Sequence, residues 1–315
     1  MTYTLTDQQA LESITKIRQR IQAYFREHNL TYAIFGKSEG LDSSVIAGLL
    51  SNLEGVRPVG VLMPCESKPE VERIARLVLD HFHIPAIKVD LTFEYHSLMA
   101  GFYSSGSVQD QLTQIAEDYK DEKLLQEIIL RKSRASGNLK VRLRMIALYH
   151  IAQLTSGLVV STDNLSEFWM GFWTINGDVG DLSPIQHVWK GLEEYKIASV
   201  LGIPEESIKA VPTDGLDITP NGTDEDQLGL PYNELDRVII RLLQNKFDGS
   251  TKSTLEKNET LCEKIAGELN LSPQKVLHVA HQLSGTNFKR NWPKLVTREE
   301  AGLEDIQNME VFERK

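Results

Sequence analysis

Cysteine is scarce in this chain of 315 residues: only Cys65 and Cys262 occur, and neither stands in a spacing typical of metal ligands. This argues against a disulfide framework or a structural zinc site and makes a reducing cytoplasm the expected location. No secretory apolar segment starts the chain, and no apolar run approaches the roughly 20 residues that a membrane-spanning helix needs. Basic residues are fewer than acidic ones, so the net charge is −10. This balance argues against a nucleic-acid-binding protein.

What the chain does contain is an alternation of short apolar strands and amphipathic helices. Residues 7–28 carry apolar side chains at helical spacing, which predicts a helix lying on a core. The apolar, β-rich runs predict strands, which we place at residues 32–36, 58–63, 86–91, 158–162 and 210–213. This order predicts an α/β fold with a doubly wound, mostly parallel five-stranded sheet flanked by helices.

An inserted helical element, at about residues 92–137, interrupts the alternation. It begins with a Gly/Ser loop and continues with a charged stretch that predicts one helix from about residue 109 to 134. We interpret this element as one that faces a partner. A helical C-terminal region is predicted at about residues 232–315, and the whole chain, 1–315, is interpreted as one domain.

A long acidic stretch with Gly and Pro lies at residues 214–231 and includes Asp214, Asp217 and Asp224. It is either a solvated linker or a mobile lid, because long loops without structure are uncommon unless they are functional or disordered.

The segment between the first strand and the next helix, residues 38–44, reads Ser-Glu-Gly-Leu-Asp-Ser-Ser. A hydroxyl-rich loop before a helix N-terminus favours phosphate, because free N–H groups and the helix dipole attract an anion. Asp42 suits Mg²⁺ that bridges to a phosphate. The segment lacks the Walker pattern. It predicts a nucleoside triphosphate site, and the alternative is an ordinary turn between a strand and a helix.

A second acidic segment, residues 161–167, follows the predicted fourth strand. Asp163 and Glu167 are four residues apart and would share a face of a helix. Together with Asp42 they would surround a hard cation such as Mg²⁺, since no His or Cys is at hand. The alternative is a helix N-terminus whose acidic residues complement the dipole.

Two further segments carry side chains suited to a planar or anionic ligand. Residues 171–182 join Phe172 and Trp173 to Asp178 and Asp181, and the alternative for the aromatic pair is core packing. A basic stretch between residues 131 and 144 includes Arg142, and the alternative is a solvated helix face.

In their order along the chain, these pieces resemble the ammonia-dependent NAD synthetases of the N-type ATP pyrophosphatase superfamily. The resemblance runs from about residue 32 to 236, with a weaker similarity at Lys289 and Arg290. It rests on residues 38–43, 137–145, 161–167, 177–184, 212–213 and 223–229. It implies the fold of the adenine nucleotide alpha hydrolases, ATP as co-substrate, Mg²⁺, and the amidation of deamido-NAD by ammonia through an adenylated intermediate that releases AMP and pyrophosphate.

The resemblance also implies roles for individual residues. The set matching ATP-binding positions is Ser38, Gly40, Asp42, Ser43, Thr162, Lys190 and Thr213. The set matching deamido-NAD-binding positions is Asn138, Arg142, Phe172, Asp181 and Lys289. Asp42 and Glu167 match the metal ligands, and Asp178, with Lys190, matches the catalytic positions. Family members are homodimers, and free ammonia or a separate glutaminase would supply the nitrogen.

Three positions depart from the family pattern. Glu39 replaces a Gly of the phosphate loop, Val179 replaces a Gly, and Phe288 replaces the His usual before Lys289. Glu39 would point to solvent, join the metal shell or weaken ATP binding. Two alternative functions therefore stay open: an N-type ATP pyrophosphatase that amidates or thiolates another substrate, and a catalytically weakened nucleotide-binding relative.

Overall fold

The computed structural model of this chain describes residues 3–213, 216, 222–250 and 255–302. The elements, in chain order, are α1 (Asp7–Glu27), β1 (Tyr32–Gly36), α2 (Leu41–Leu50), β2 (Arg57–Leu62), α3 (Pro69–His81), β3 (Ala86–Lys88), α4 (Thr92–Tyr103), α5 (Val108–Asp118), α6 (Glu122–Leu130), α7 (Lys132–Thr155), β4 (Leu158–Val159), α8 (Leu165–Met170), a π-helical turn (Lys190–Glu194), α9 (Tyr195–Leu201), α10 (Glu205–Ile208), α11 (Asp224–Leu228), α12 (Tyr232–Gln244), α13 (Leu255–Leu269), α14 (Pro273–Gly285) and α15 (Asn287–Arg290).

The sheet is parallel, with strand order β3-β2-β1-β4. The central strand β1 is buried at Ala33, Ile34 and Phe35, and helix packing on both faces explains its unbroken apolar run. The doubly wound parallel fold is confirmed. Because β1 and β4 are neighbours, the loops after their carboxyl ends meet at one edge of the sheet, where such folds bind ligands.

The predicted fifth strand at residues 210–213 was wrong, since the described residues form a four-stranded sheet. Pro212 has no N–H to donate to a ladder, and its carbonyl instead accepts from the N–H of Asp224 at 3.0 Å. That hydrogen bond ties the segment to the start of α11 rather than to the sheet.

The charged stretch of the inserted element was predicted as one helix at about residues 109–134, but it forms α5, α6 and the start of α7, and α4 precedes them in the same element. Helix α5 ends before Lys120, whose positive φ of 53° breaks the helical path. Asp121 then caps α6 by accepting from the N–H of Leu124. A positive φ and a cap leave no trace in the spacing of charged residues, so the break was missed.

Two apolar clusters dominate the interior. One lies between the sheet and helices α1, α2, α3 and α9. The other lies among α8, α12, α13 and α14 and includes Leu235, Ile239 and Leu283. The acidic stretch at residues 214–231, interpreted as either a linker or a lid, falls partly outside the described residues, including Asp214 and Asp217, while residues 224–228 form α11. No helix in the described parts of the chain is long and apolar enough to cross a membrane.

Candidate active site

The segment between β1 and α2 forms the loop that the sequence predicted. Gly40, with extended backbone, precedes the first turn of α2, and its N–H donates to the Ser38 hydroxyl at 3.1 Å. The hydroxyls of Ser38 and Ser43 lie 3.2 Å apart. Ser38, Gly40 and Ser43 are therefore gathered at the N-terminus of a ten-residue helix, as an anion-binding loop requires.

Asp42 and Lys190 form a buried ion pair beside this loop. The Lys190 Nζ lies 2.8 Å from Asp42 Oδ2, and the side chain of Lys190 is only 4% exposed. The other carboxylate oxygen of Asp42 accepts from Asn164 Nδ2 at 2.6 Å. Two residues predicted to bind ATP thus meet from positions 148 residues apart, and Asn164 joins them although the sequence analysis missed it.

Glu167 lies on the other side of the same ammonium group, with its Oε1 3.3 Å from Lys190 Nζ. Asp224 Oδ2 is 3.9 Å from that nitrogen. The Tyr232 hydroxyl lies 3.0 Å from Asp224 Oδ2 and 3.2 Å from Glu167 Oε1. The predicted metal ligands, Asp42 and Glu167, are therefore brought together with one lysine between them.

Burial and charge set the protonation of this cluster. Burial alone would raise the pKa of Asp42, but Lys190 holds it below its ordinary value. Burial raises the pKa of Glu167 to about 8, against the attraction of Lys190. The pKa of Lys190 is well above its ordinary value, because its carboxylate neighbours outweigh burial. The cluster thus favours the charged forms of Lys190 and Asp42, while burial makes Glu167 the carboxyl of this pair that protonates more readily.

The π-helical turn that carries Lys190 is held by Asp236 of α12. Asp236 Oδ2 accepts from the N–H groups of Gly191 at 2.8 Å and Leu192 at 3.1 Å, and its Oδ1 accepts from the Ser166 hydroxyl. Residue 191 must be glycine, since a Cβ there would lie 2.4 Å from the backbone of α12. Asp236 therefore positions Lys190 without touching it.

We expect Asp236→Ala to lower the free energy of unfolding by about 3 kcal/mol, because it leaves two N–H groups and a hydroxyl without an acceptor in a buried site. Urea unfolding followed by circular dichroism measures the change. The neighbouring exposed residue supplies the control: Arg237→Ala should change stability by less than about 0.5 kcal/mol. Equal stability of the two variants would contradict the anchoring role of Asp236.

Glu194, at the end of the π-helical turn, was also missed by the sequence analysis. It is fully buried, and neither carboxylate oxygen has a hydrogen-bond partner among the described residues. Burial raises the pKa of its carboxyl well above the ordinary value, and nearby Asp42 adds to the effect. Nothing in the sequence pattern distinguishes Glu194 from the adjacent Glu193, because a π-helical turn shifts which side chain faces inward.

This cluster fits a hard divalent cation by its donor chemistry. Four buried or half-buried carboxyl groups (Asp42, Glu167, Glu194 and Asp224) surround a single ammonium group. Within the described residues, however, no three acidic, His or Cys side chains are arranged ready to hold a metal. Mg²⁺ commonly takes one or two carboxylates and fills its shell with water and substrate phosphates, so Asp42 and Glu167 suffice.

A second group of predicted residues gathers where α7 meets the loop after α8. The Thr174 hydroxyl donates to Asn138 Oδ1 at 2.9 Å, and Arg142 Nε donates to the carbonyl of Ile175 at 3.2 Å. Asn138 and Arg142 are one helical turn apart, so they lie on the same side of α7.

Asp178 and Lys289 complete this second group. Asp178 accepts from the N–H of Thr174, and burial raises the pKa of its carboxyl. Lys289 donates to the carbonyl oxygens of Gly171, at 2.7 Å, and Trp173, and the charges of Asp178 and Lys289 act on each other. Phe172, which stands between Gly171 and Trp173 in the sequence, packs against the apolar cluster among α8, α12, α13 and α14.

The three remaining predicted site residues, Asp181, Thr162 and Thr213, have other contacts or positions. Asp181 accepts from the Tyr149 hydroxyl and from the N–H of Val159, which fastens the end of β4. Thr162 is half-buried just beyond β4, at the edge of the sheet where the loops meet. The Thr213 hydroxyl donates to Glu39 Oε1 at 3.4 Å, which places it at the phosphate loop.

Asp163 was expected to join Glu167 and Asp42, and the structure contradicts this. Helix α8 begins at Leu165, so Asp163 precedes it and does not share its face with Glu167. Its Oδ2 accepts instead from Gln186 Nε2 at 2.6 Å, and the charge of Asp178 acts on the Asp163 carboxyl group.

Two of the three departures are accommodated without strain. Val179 does not have the positive φ that favours glycine. Phe288 is 61% exposed on α15, so its ring needs no room in the core.

Comparison with known proteins shows which sequences this chain is similar to. The family model described as NAD synthase matches residues 13–293. The NH₃-dependent NAD⁺ synthetase of Finegoldia magna is 34% identical over 248 residues, which cover 78% of this chain and 88% of that protein. The protein of the same name from Methanocaldococcus jannaschii is 30% identical over 285 residues, covering 90% and 95%.

Solved structures agree on the fold. The NMN synthetase of Francisella tularensis superposes with a TM-score of 0.64 at 20% identity, covering 91% of this chain and 97% of that one. The NH₃-dependent NAD synthetase of Campylobacter jejuni gives a TM-score of 0.61, also at 20% identity, and covers 91% and 99%. At such identities the likeness extends to the fold alone. The match over residues 13–293, together with relatives that are similar over most of their length, shows that this chain belongs to the NAD synthase family.

Proposed function

We propose that this enzyme is a ligase that forms a carbon–nitrogen bond: it amidates deamido-NAD with ammonia, consumes ATP, and releases NAD⁺, AMP and pyrophosphate. The observation that carries the proposal is the buried cluster of Asp42, Glu167 and Lys190 beside a phosphate loop. It unites a hydroxyl-rich anion site with carboxylates suited to a cation. The similar proteins from Finegoldia magna and Methanocaldococcus jannaschii are both named NH₃-dependent NAD⁺ synthetase.

In the first step, an oxygen of the nicotinate carboxylate attacks the α-phosphorus of ATP, and pyrophosphate leaves. Ser38, Ser43 and the N–H groups of the loop hold the phosphates, with Thr162 and Thr213 at the rim. Lys190 supplies positive charge to the oxygens on which charge develops in the transition state. Mg²⁺, held by Asp42 and Glu167, would neutralise phosphate charge when bound.

In the second step, ammonia attacks the adenylated carboxyl carbon, and AMP leaves. Asp178 attracts ammonium and accepts the proton that the nitrogen must lose. Asn138, Arg142, Phe172, Asp181 and Lys289 bind deamido-NAD. The raised pKa of Asp178, caused by burial, makes its carboxylate a better proton acceptor than an exposed one.

The experiment that tests this proposal measures NAD⁺, AMP and pyrophosphate from deamido-NAD, ATP, Mg²⁺ and either ammonium or glutamine. Formation of NAD⁺ with ammonium and little with glutamine supports the proposal. ATP binding without NAD⁺ would instead favour another acyl substrate or a catalytically weakened relative. A glutaminase partner would be indicated if glutamine becomes a donor only in cell extract. The two free, buried cysteines suit the cytoplasm as the place of reaction.

We also propose a homodimer in which the inserted element faces its counterpart. Large apolar side chains are exposed along α4, α5 and α6, and they include Phe93 (79%), Tyr119 (82%) and Leu130 (77%). An apolar surface of this kind on a soluble chain marks an interaction site.

We expect Leu130→Glu to convert this dimer into monomers, because a buried unpaired carboxylate at the interface is costly. Light scattering after size-exclusion chromatography should give the chain mass of 35.6 kDa for the variant and twice that mass for the wild type. Leu11→Glu, at an exposed position of α1, is the matched control and should stay dimeric. A monomeric wild type would refute the proposal.

A further inference from the structure

Lys37 is a buried lysine that the proposed mechanism does not use. It directly precedes the phosphate loop, and its residue is 4% exposed. Its Nζ donates to the hydroxyl oxygens of Ser43 at 3.0 Å and Ser44 at 2.9 Å, and also to the carbonyl of Ser38. The ammonium group thus lies directly beneath the loop, and these three partners belong to the loop or to the first turn of α2.

The contacts of Lys37 orient the loop hydroxyls. An ammonium group can only donate, so the oxygens of Ser43 and Ser44 accept from it. The Ser43 oxygen also lies within reach of the N–H of Ser38, at 3.3 Å, which fills its second lone pair. The Ser43 proton must then point to a neighbouring carbonyl or, when a nucleotide is bound, to a phosphate oxygen.

Lys37 is also linked to Glu39, the residue that replaces a family glycine. The hydroxyls of Ser44 and Ser207 lie 2.7 Å apart, and Ser207 donates to the carbonyl of Glu39 at 3.1 Å. Burial lowers the pKa of Lys37 to about 7, and Glu39 is the charged neighbour that opposes this most strongly, so the negative charge of Glu39 favours the ammonium form of Lys37. The carboxylate of Glu39 is half-buried and accepts from Thr213.

We propose that Lys37 is a positioning residue for the nucleotide phosphates: it orients the hydroxyls of Ser43 and Ser44 and offsets the negative charge that Glu39 brings to the loop. The inference rests on the proposed function, since it assumes that the loop binds ATP. It explains how a carboxylate is tolerated at a position where the backbone approaches pyrophosphate. Glu39 and Lys37 are then a compensating pair rather than a sign of lost activity.

The test compares Lys37→Met, Glu39→Gln and the double variant in the full-length chain, with the dissociation constant of Mg·ATP measured by isothermal titration calorimetry. We expect Lys37→Met to weaken binding about tenfold and Glu39→Gln to tighten it about threefold. Independent effects would leave the double variant about threefold weaker than the wild type, whereas a compensating pair should restore the wild-type affinity, because Glu39→Gln then tightens binding about tenfold in the Lys37→Met background. A purely structural role for Lys37 would leave the gain from Glu39→Gln at about threefold. Glu54→Gln, an exposed position away from the loop, is the control.

Three outcomes would overturn the inference. The first is a folded Lys37→Met variant with unchanged affinity, and the second is a double variant in which Glu39→Gln tightens binding no more than it does in the wild type. If Lys37→Met does not fold, Lys37→Gln keeps hydrogen-bond donors without the charge, and unchanged affinity there is equally decisive. The third is a wild type that binds neither ATP nor pyrophosphate, which would end the proposed function too. A wild type that makes NAD⁺ while Lys37→Met binds ATP normally would refute only the role of Lys37.

Discussion

Asp42→Asn is expected to slow pyrophosphate release by about 10²–10³-fold while leaving the fold intact. Asparagine keeps the size of the side chain, but it removes the negative charge that pairs with Lys190 at 2.8 Å and that would hold Mg²⁺. The phosphates would then lose the cation that neutralises them during adenylation. Pyrophosphate release in the presence of ATP, deamido-NAD and Mg²⁺ measures the effect.

Two companion measurements make this result specific. Glu167→Gln should cause a loss of similar size, because Glu167 shares the ammonium group of Lys190 with Asp42. Asp80→Asn, on the exposed surface of α3, should leave the rate unchanged. Normal pyrophosphate release in both site variants would remove Asp42 and Glu167 from the cation site, and circular dichroism would show whether either had unfolded.

Asp178→Asn is expected to lower NAD⁺ formation about 10²-fold or more while pyrophosphate release continues. The amide still accepts from the N–H of Thr174, so the loop keeps its shape, but it cannot take a proton from the attacking nitrogen. Adenylation, which depends on the separate cluster around Lys190, should proceed. The ratio of pyrophosphate to NAD⁺ in a single turnover therefore rises sharply.

The two half-reactions serve as each other's control for Asp178→Asn. If pyrophosphate and NAD⁺ fall together, Asp178 acts on binding or on adenylation rather than on the amidation step. If neither falls, another group accepts the proton. Raising the ammonium concentration separates poor capture from poor proton transfer, since only a capture defect is overcome at saturation.

Local sequence pattern predicted the elements that lie next to the sheet. Burial on both faces explains the apolar centre of the run at Tyr32–Gly36, namely Ala33, Ile34 and Phe35, and the predicted bounds of this strand are those of the structure. The failures occurred where a single backbone feature decided the outcome. The helix break at Lys120 depends on one positive φ. The segment at residues 210–213 is tied to the start of α11 by one hydrogen bond, which the carbonyl of Pro212 accepts.

For the candidate site, sequence motifs named residues but did not supply their partners. Asp42 and Glu167 were predicted as site residues from local pattern and from the resemblance, and Lys190 from the resemblance alone; the fold does bring the three together. Asp163 looked equivalent to Glu167 by spacing, yet it lies before the helix and bonds to Gln186. Glu194 could not be recognised at all, because its inward position depends on a π-helical turn.

By itself, the sequence determined the family, the parallel α/β fold and the hydroxyl-rich loop between β1 and α2, because these follow from the period of apolar residues and from contiguous motifs. Only the tertiary structure decided which charges meet. Lys190 faces Asp42 because Asp236, on another helix, fixes the backbone of its turn. Lys37 lies under the loop that contains Glu39 because β1 ends there in a buried position. Charge interactions depend on distance and burial in space, which spacing along the chain does not specify.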